Sequence, residues 1–166
     1  CAARGRAWWS LDEPAREAAI AGGPRDLVDE LPPDLDAACE LLRAMLDELG
    51  AASVGPLVLA GFSQGGMLAY ATMARARHPA VAALALLSAT RIGGVASAPP
   101  ASLAGLPALV AHGALDPDLA IDAGAALRDA LATGGAEVSW VPFEGAHEIP
   151  LVVWRALKRL VLARVR

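Results

Sequence analysis

Pro56-Leu57-Val58-Leu59-Ala60-Gly61-Phe62-Ser63-Gln64-Gly65-Gly66 is the stretch that decides how this chain folds and where its chemistry sits. The apolar run up to Ala60 reads as a β-strand, and Met67 to Arg77 reads as a helix. The Gly-x-Ser-x-Gly between them puts a serine on a strand-to-helix turn, the arrangement that exposes a nucleophilic hydroxyl. A turn so tight needs neighbours without Cβ, so that strand and helix can approach closely. The helix start also aims free N–H groups and a positive dipole end at the serine, where negative charge develops in acyl transfer.

Outward from that turn, strands and helices alternate. Asp34 to Leu49 carries Leu35, Ala38, Cys39, Leu42, Met45, Leu46 and Leu49 at helical spacing. Asp34 is placed as its N-cap, and Gly50 as its stop. After the serine turn follow a helix over Gly65 to Arg77 and strands over Val81 to Ser88 and Pro107 to His112. A helix over Leu119 to Ala132, a strand over Glu137 to Val141 and a last helix over about Ile149 to Val165 complete the pattern. Three strands are continuous apolar runs, which is the mark of a parallel sheet covered on both faces. Residues 1 to 33 read as irregular, with a short helix near Pro24 to Leu31. The fold class expected is therefore α/β, a mostly parallel sheet with helices on both faces, in a single domain over 1–166.

The 166 residues are 55% hydrophobic and only 4% aromatic, so the core is expected to be built from Ala, Leu and Val. A net charge of −4 with no basic block argues against nucleic acid as a partner. The basic residues near the C-terminus (Arg155, Lys158, Arg159, Arg164, Arg166) read as a solvated helix face. No apolar run is long enough to suggest a transmembrane segment. Two cysteines make no disulfide framework, and Cys39 reads as a small core residue. A cytoplasmic location is the expectation, and oligomeric state is left open.

A serine hydroxyl needs a base and an orienting acid. On such a sheet the partners follow in the order nucleophile, acid, histidine, each at the end of a later strand. Of three histidines, His78 beside Pro79 reads as a capping or surface residue. His112 precedes the acid and reads as structural or pocket-lining. His147, in the loop between last strand and last helix, is the expected base. Asp116, four residues beyond the third strand, is the expected acid, with Asp118 its nearest rival and Glu144 and Glu148 weaker ones.

Gly61-Phe62-Ser63-Gln64-Gly65-Gly66, His112-Gly113-x-x-Asp116-Pro117 and Gly145-Ala146-His147-Glu148-Ile149-Pro150 resemble the phospholipase/carboxylesterase family of α/β-hydrolases, which includes acyl-protein thioesterases. Arg6-Ala7-Trp8-Trp9 resembles the Arg-Ala-Trp-aromatic stretch upstream of the nucleophile in that family. The resemblance implies Ser63 as nucleophile, Asp116 as acid, His147 as base and the Gln64 backbone N–H as one oxyanion donor. It implies cleavage of a small-molecule acyl ester or thioester through an acyl-serine intermediate. No metal or organic cofactor is implied.

No stretch matches the family's Leu-His-Gly-x-Gly loop, whose backbone supplies the second oxyanion donor. The expectation is thus an N-terminally incomplete hydrolase, lacking that donor and two or more strands, with the Ser63 strand left at a sheet edge. Trp8 and Trp9 are candidates for a substrate pocket or for packing a loop onto the core. The loop Ala89 to Leu106, with Ile92, Val95, Leu103 and Leu106, is a candidate substrate rim or a plain solvent loop. Two other functions stay open: a catalytically impaired remnant acting as a binding module, and a lysophospholipase or peptidase of the same fold.

Overall fold

The strands at 81–87 and 107–113 bury nearly every side chain, which only a strand covered on both faces can do. In the computed structural model, which describes residues 7–10, 12–52, 55–95 and 103–164, they form the middle of a four-stranded parallel sheet. The elements in chain order are α1 (Glu13–Ala21), α2 (Leu35–Ala52), β1 (Leu57–Phe62), α3 (Gln64–Arg75), β2 (Val81–Leu87), β3 (Pro107–Gly113), α4 (Ile121–Thr133), β4 (Glu137–Phe143) and α5 (Leu151–Leu162). The sheet order is β1-β2-β3-β4. Leu59, Leu84, Ala108 and Val138 stand side by side across it, and near its C-terminal edge so do Phe62, Leu87, Ala111 and Val141. Among the described residues β1 pairs on one side only, with β2, as expected from the sequence.

The period of two along each strand splits the core into two layers. Leu84, Leu86, Ala108 and Val110 pack with α2, α3 and α4. Ala85, Leu87, Leu109 and Ala111 point the other way, against Val153 and Ala156 of α5. The result is the α/β-hydrolase-type architecture read from the sequence. Cys39 is buried in the larger layer.

Five local readings change. The first helix lies at Glu13–Ala21, where Asp12 Oδ1 accepts from the Ala15 N–H at 3.0 Å and Pro14 takes a first-turn position. Residues Pro24 to Leu31 are not helical; Arg25 runs parallel to Leu119, giving its N–H to the Asp118 carbonyl at 3.0 Å and accepting from Ala120 N–H at 2.9 Å. Helix α2 continues through Gly50 to Ala52, and it packs along a narrow seam of Leu35, Ala38, Cys39, Leu42 and Leu46 that leaves Met45 and Leu49 exposed. His78 is neither a cap nor a surface residue: it is buried, with Nε2 2.9 Å from Asp47 Oδ1 of α2 and Nδ1 accepting from Ala80 N–H. The connection after β2 is no plain solvent loop, because Ile92, Leu103 and Leu106 are buried in the core. Residues 96–102 of it fall outside the described segments.

Candidate active site

Ser63 sits at φ 52°, ψ −121°, between the last residue of β1 and the first of α3. A side chain at positive φ costs on the order of 1–3 kcal/mol and persists only where the surroundings enforce it. Here they do. The Ser63 N–H donates to the Leu87 carbonyl at 2.8 Å, and its own carbonyl accepts from Gly66 and Met67 at 2.9 and 3.0 Å, opening α3. The hydroxyl makes no capping bond to the helix. The Gln64 N–H, at the helix start, meets no acceptor among the described residues.

The glycine requirement is narrower than the motif suggests. A Cβ on Gly61 would collide with the backbone of Gly65 and Gly66, and one on Gly66 would lie 2.7 Å from Ala89 Cβ. A Cβ on Gly65 would meet only Trp8 Nε1, at 3.7 Å. Close approach therefore depends on Gly61 and Gly66, while Gly65 has room.

The loops after β3 and β4 are tied together. Ala114 N–H donates to Phe143 O at 2.8 Å and Leu115 N–H to Gly145 O at 2.9 Å. They come so close that a Cβ on Gly113 would strike the carbonyls of Ala146 and Gly145. This puts His147 against Asp116: Nδ1 lies 2.7 Å from Asp116 Oδ2. The Asp116 side chain is fully buried, and its Oδ1 accepts from the N–H groups of Asp118 and Leu119 at 2.9 and 3.0 Å. Burial pushes its pKa up, but the hydrogen bonds from His147 and from those two backbone N–H groups outweigh that and hold it below the ordinary carboxylate range. The His147 ring lies 4.7 Å, centroid to centroid, from Phe62, the residue before Ser63. Base candidate and serine turn thus share one edge of the sheet, although no described hydrogen bond joins the Ser63 hydroxyl to the imidazole.

The rival acids are engaged elsewhere. Asp118, two residues on, is clamped by Arg16 Nη2 at 2.6 Å and Nε at 3.1 Å, and by Arg25 Nη2. Burial raises its pKa, and the two guanidiniums more than reverse this, leaving it low. Glu148 accepts from Ala146 N–H within its own turn, and Glu144 is exposed.

Beside Ser63 opens a cavity of about 350 Å³ with Trp9, Leu27, Met67 and Ile92 among its apolar walls, and Arg16, Arg25 and Asp118 at a polar one. Trp9 is buried in that wall; Trp8 is 37% exposed and outside it. The Gln64 side chain holds this segment, accepting from Trp8 N–H at 2.9 Å and donating to Trp9 O at 3.2 Å. His112 is not in the wall; its ring is fully enclosed behind Asp116. Among the described residues, no group of three His, Cys, Asp or Glu side chains could hold a metal ion. Likewise no helix there is long and apolar enough to cross a membrane. The roles of Arg16, Arg25 and the Gln64 side chain were not visible in the sequence, because their partners lie 55 to 102 residues away.

A parallel sheet whose first strand ends in a strained serine, with a buried carboxylate–imidazole pair at the same edge, defines the α/β-hydrolase class. Residues 29–161 match the phospholipase/carboxylesterase family, and the chain belongs to it. No curated protein matches it by sequence. Solved structures with the same fold include SOBER1 of Arabidopsis thaliana, at 20% identity and a TM-score of 0.69 over 97% of this chain and 75% of that one. The Bacillus cereus carboxylesterase aligns at 20% identity and a TM-score of 0.68 over 84% and 68%. The Zea mays acyl-protein thioesterase 2 aligns at 20% and 0.66 over 86% and 71%. The chain spans 63% of the length of a matching protein of unknown function from Agrobacterium tumefaciens.

Proposed function

We propose that this chain carries the catalytic part of a serine hydrolase that cleaves small-molecule carboxylic esters or thioesters. Ser63 attacks the acyl carbon, and His147 takes its proton, then returns it to the leaving alcohol or thiol. Asp116 holds the imidazole with its proton on Nδ1 and stabilises the charged form that results. The Gln64 N–H, unengaged at the start of α3, donates to the oxyanion of the tetrahedral intermediate. In the second half-reaction His147 activates water, which releases the acid from Ser63. Trp9 contributes to the substrate pocket, while Trp8, which the sequence also offered for it, stands outside the cavity wall. The single domain over 1–166 and the cytoplasmic setting belong to the same reading.

The observation that carries this reading is the 2.7 Å Asp116–His147 contact at the sheet edge where Ser63 is held in a conformation it would otherwise avoid. Burst kinetics with an activated acetate ester test it. A stoichiometric burst of alcohol that disappears in Ser63→Ala supports an acyl-serine enzyme. Absence of any burst from the unmodified chain favours the non-catalytic binding module.

A further inference from the structure

One buried imidazole has no part in the reaction proposed above. His112 is the penultimate residue of β3, with its side chain fully enclosed. Its Nε2 lies 3.0 Å from the Leu119 carbonyl oxygen and 3.6 Å from Asp116 Oδ2. A carbonyl can only accept, so the ring carries its proton on Nε2. Nδ1 is buried and has no hydrogen-bond partner among the described residues. Helix α4 closes over that side of the ring: a Cβ on Gly124 would collide with Nδ1 and stand 2.7 Å from Cγ.

The single N–H therefore faces two acceptors that both bear on the acid. Leu119 is the residue whose own N–H holds Asp116 Oδ1 at 3.0 Å, and Oδ2 is the oxygen that meets His147. We propose that His112 is the positioning residue for Asp116. Its Nε2–H fixes the Leu119 carbonyl, and with it the turn from Asp116 to Leu119, so that Oδ2 stays aimed at His147 Nδ1. It acts through Asp116 and touches no substrate. An apolar ring of the same size would leave the Leu119 carbonyl without this donor and free the turn to shift. Gly124 completes the device, since only a residue without Cβ lets α4 press the ring into place. The inference rests on Asp116 and His147 being acid and base.

The test compares His112→Phe, His112→Gln and Gly124→Ala with the unmodified chain in two measurements. One is the low-field proton resonance of His147 Nδ1–H bonded to Asp116. The other is the rate of Ser63 modification by a fluorophosphonate. Phe fills the site without a donor, and the resonance should vanish while the rate drops about 10–100-fold, as is common when a supporting hydrogen bond is lost. Gln restores a donor near the same place and should recover both. Gly124→Ala, which pushes the ring without altering any member of the chain of bonds, should weaken both. A Phe variant that keeps the resonance and the rate overturns the proposal, and so does a Gln variant as impaired as Phe. If the Phe variant fails to fold, Gly124→Ala decides by the same two readouts. A nitrogen–proton correlation spectrum showing His112 protonated on Nδ1 would overturn it independently of any reaction. Should the unmodified chain never react at Ser63, the hydrolase reading falls, while the His112 tautomer and the His147 resonance still decide this one.

Discussion

The turn after β1 and the loop after β3 deliver side chains to the same sheet edge by opposite means. At β1 the backbone does the holding: Ser63 is strained, its hydroxyl makes no capping bond to the helix, and absent Cβ atoms at Gly61 and Gly66 let α3 close against the strand. At β3 hydrogen bonds do the holding: Asp116 is buried with two backbone N–H donors on one oxygen and His147 on the other. On the proposed reading, the first region leaves the serine hydroxyl clear of the helix cap and open to a substrate. The second leaves its carboxylate no freedom, which is what a group that must orient an imidazole requires. Steric changes should therefore break the first region and polar changes the second.

The largest effect is expected from Asp116→Asn. It keeps the shape but imposes the wrong imidazole tautomer, and Ser63 reactivity should fall by about 10⁴-fold in a stopped assay with an activated ester. Replacement of neighbouring Asp118 by Ala should act on stability instead. Arg25 loses its carboxylate and Arg16 keeps only exposed Glu13, and a loss of about 3 kcal/mol is expected in urea unfolding. Equal losses of reactivity from the two substitutions would erase the distinction drawn between these carboxylates.

In the β1 turn, Gly61→Ala should cost about 3 kcal/mol, since its Cβ meets backbone that cannot step aside. Gly65→Ala should stay within about 0.5 kcal/mol of the parent. Similar destabilisation by both would mean that the motif's glycines serve a purpose other than space.

Acid should separate the regions more gently. Asp116 and Asp118 both have folded pKa values below their unfolded ones, so each stabilises the fold above about pH 4. That contribution disappears as pH falls through the lowered folded values. Thermal melts between pH 7 and pH 2 should show the midpoint dropping below about pH 4, with a shallower drop in Asp118→Asn. An unchanged slope would contradict the ion-pair assignment.

The strands and the later helices were legible because parallel strands buried on both faces read as unbroken apolar runs, punctuated by Gly and Pro. Ser63 and Asp116 were singled out as candidates because each follows such a run, and His147 because it lies in the loop after the last strand, which alternates instead. Helix α1 was not, although Asp12-Glu13-Pro14 carries start signals, because it buries no side chain and so shows no apolar stripe. That Asp118 is bonded to Arg16 and Arg25, about a hundred residues upstream, was not legible, because over such a distance local pattern says nothing. The same holds for Gln64, whose side-chain partners are the backbone of Trp8 and Trp9.

On the proposed reading, the strained serine and the carboxylate–imidazole pair form one reacting unit. Peptide mapping after reaction with a fluorophosphonate tests it most directly, run on the unmodified chain, on Ser63→Ala and on His147→Ala. A single adduct on Ser63 is expected, absent from the first variant and strongly slowed in the second. An adduct elsewhere, or one on Ser63 that forms equally fast without His147, would contradict it.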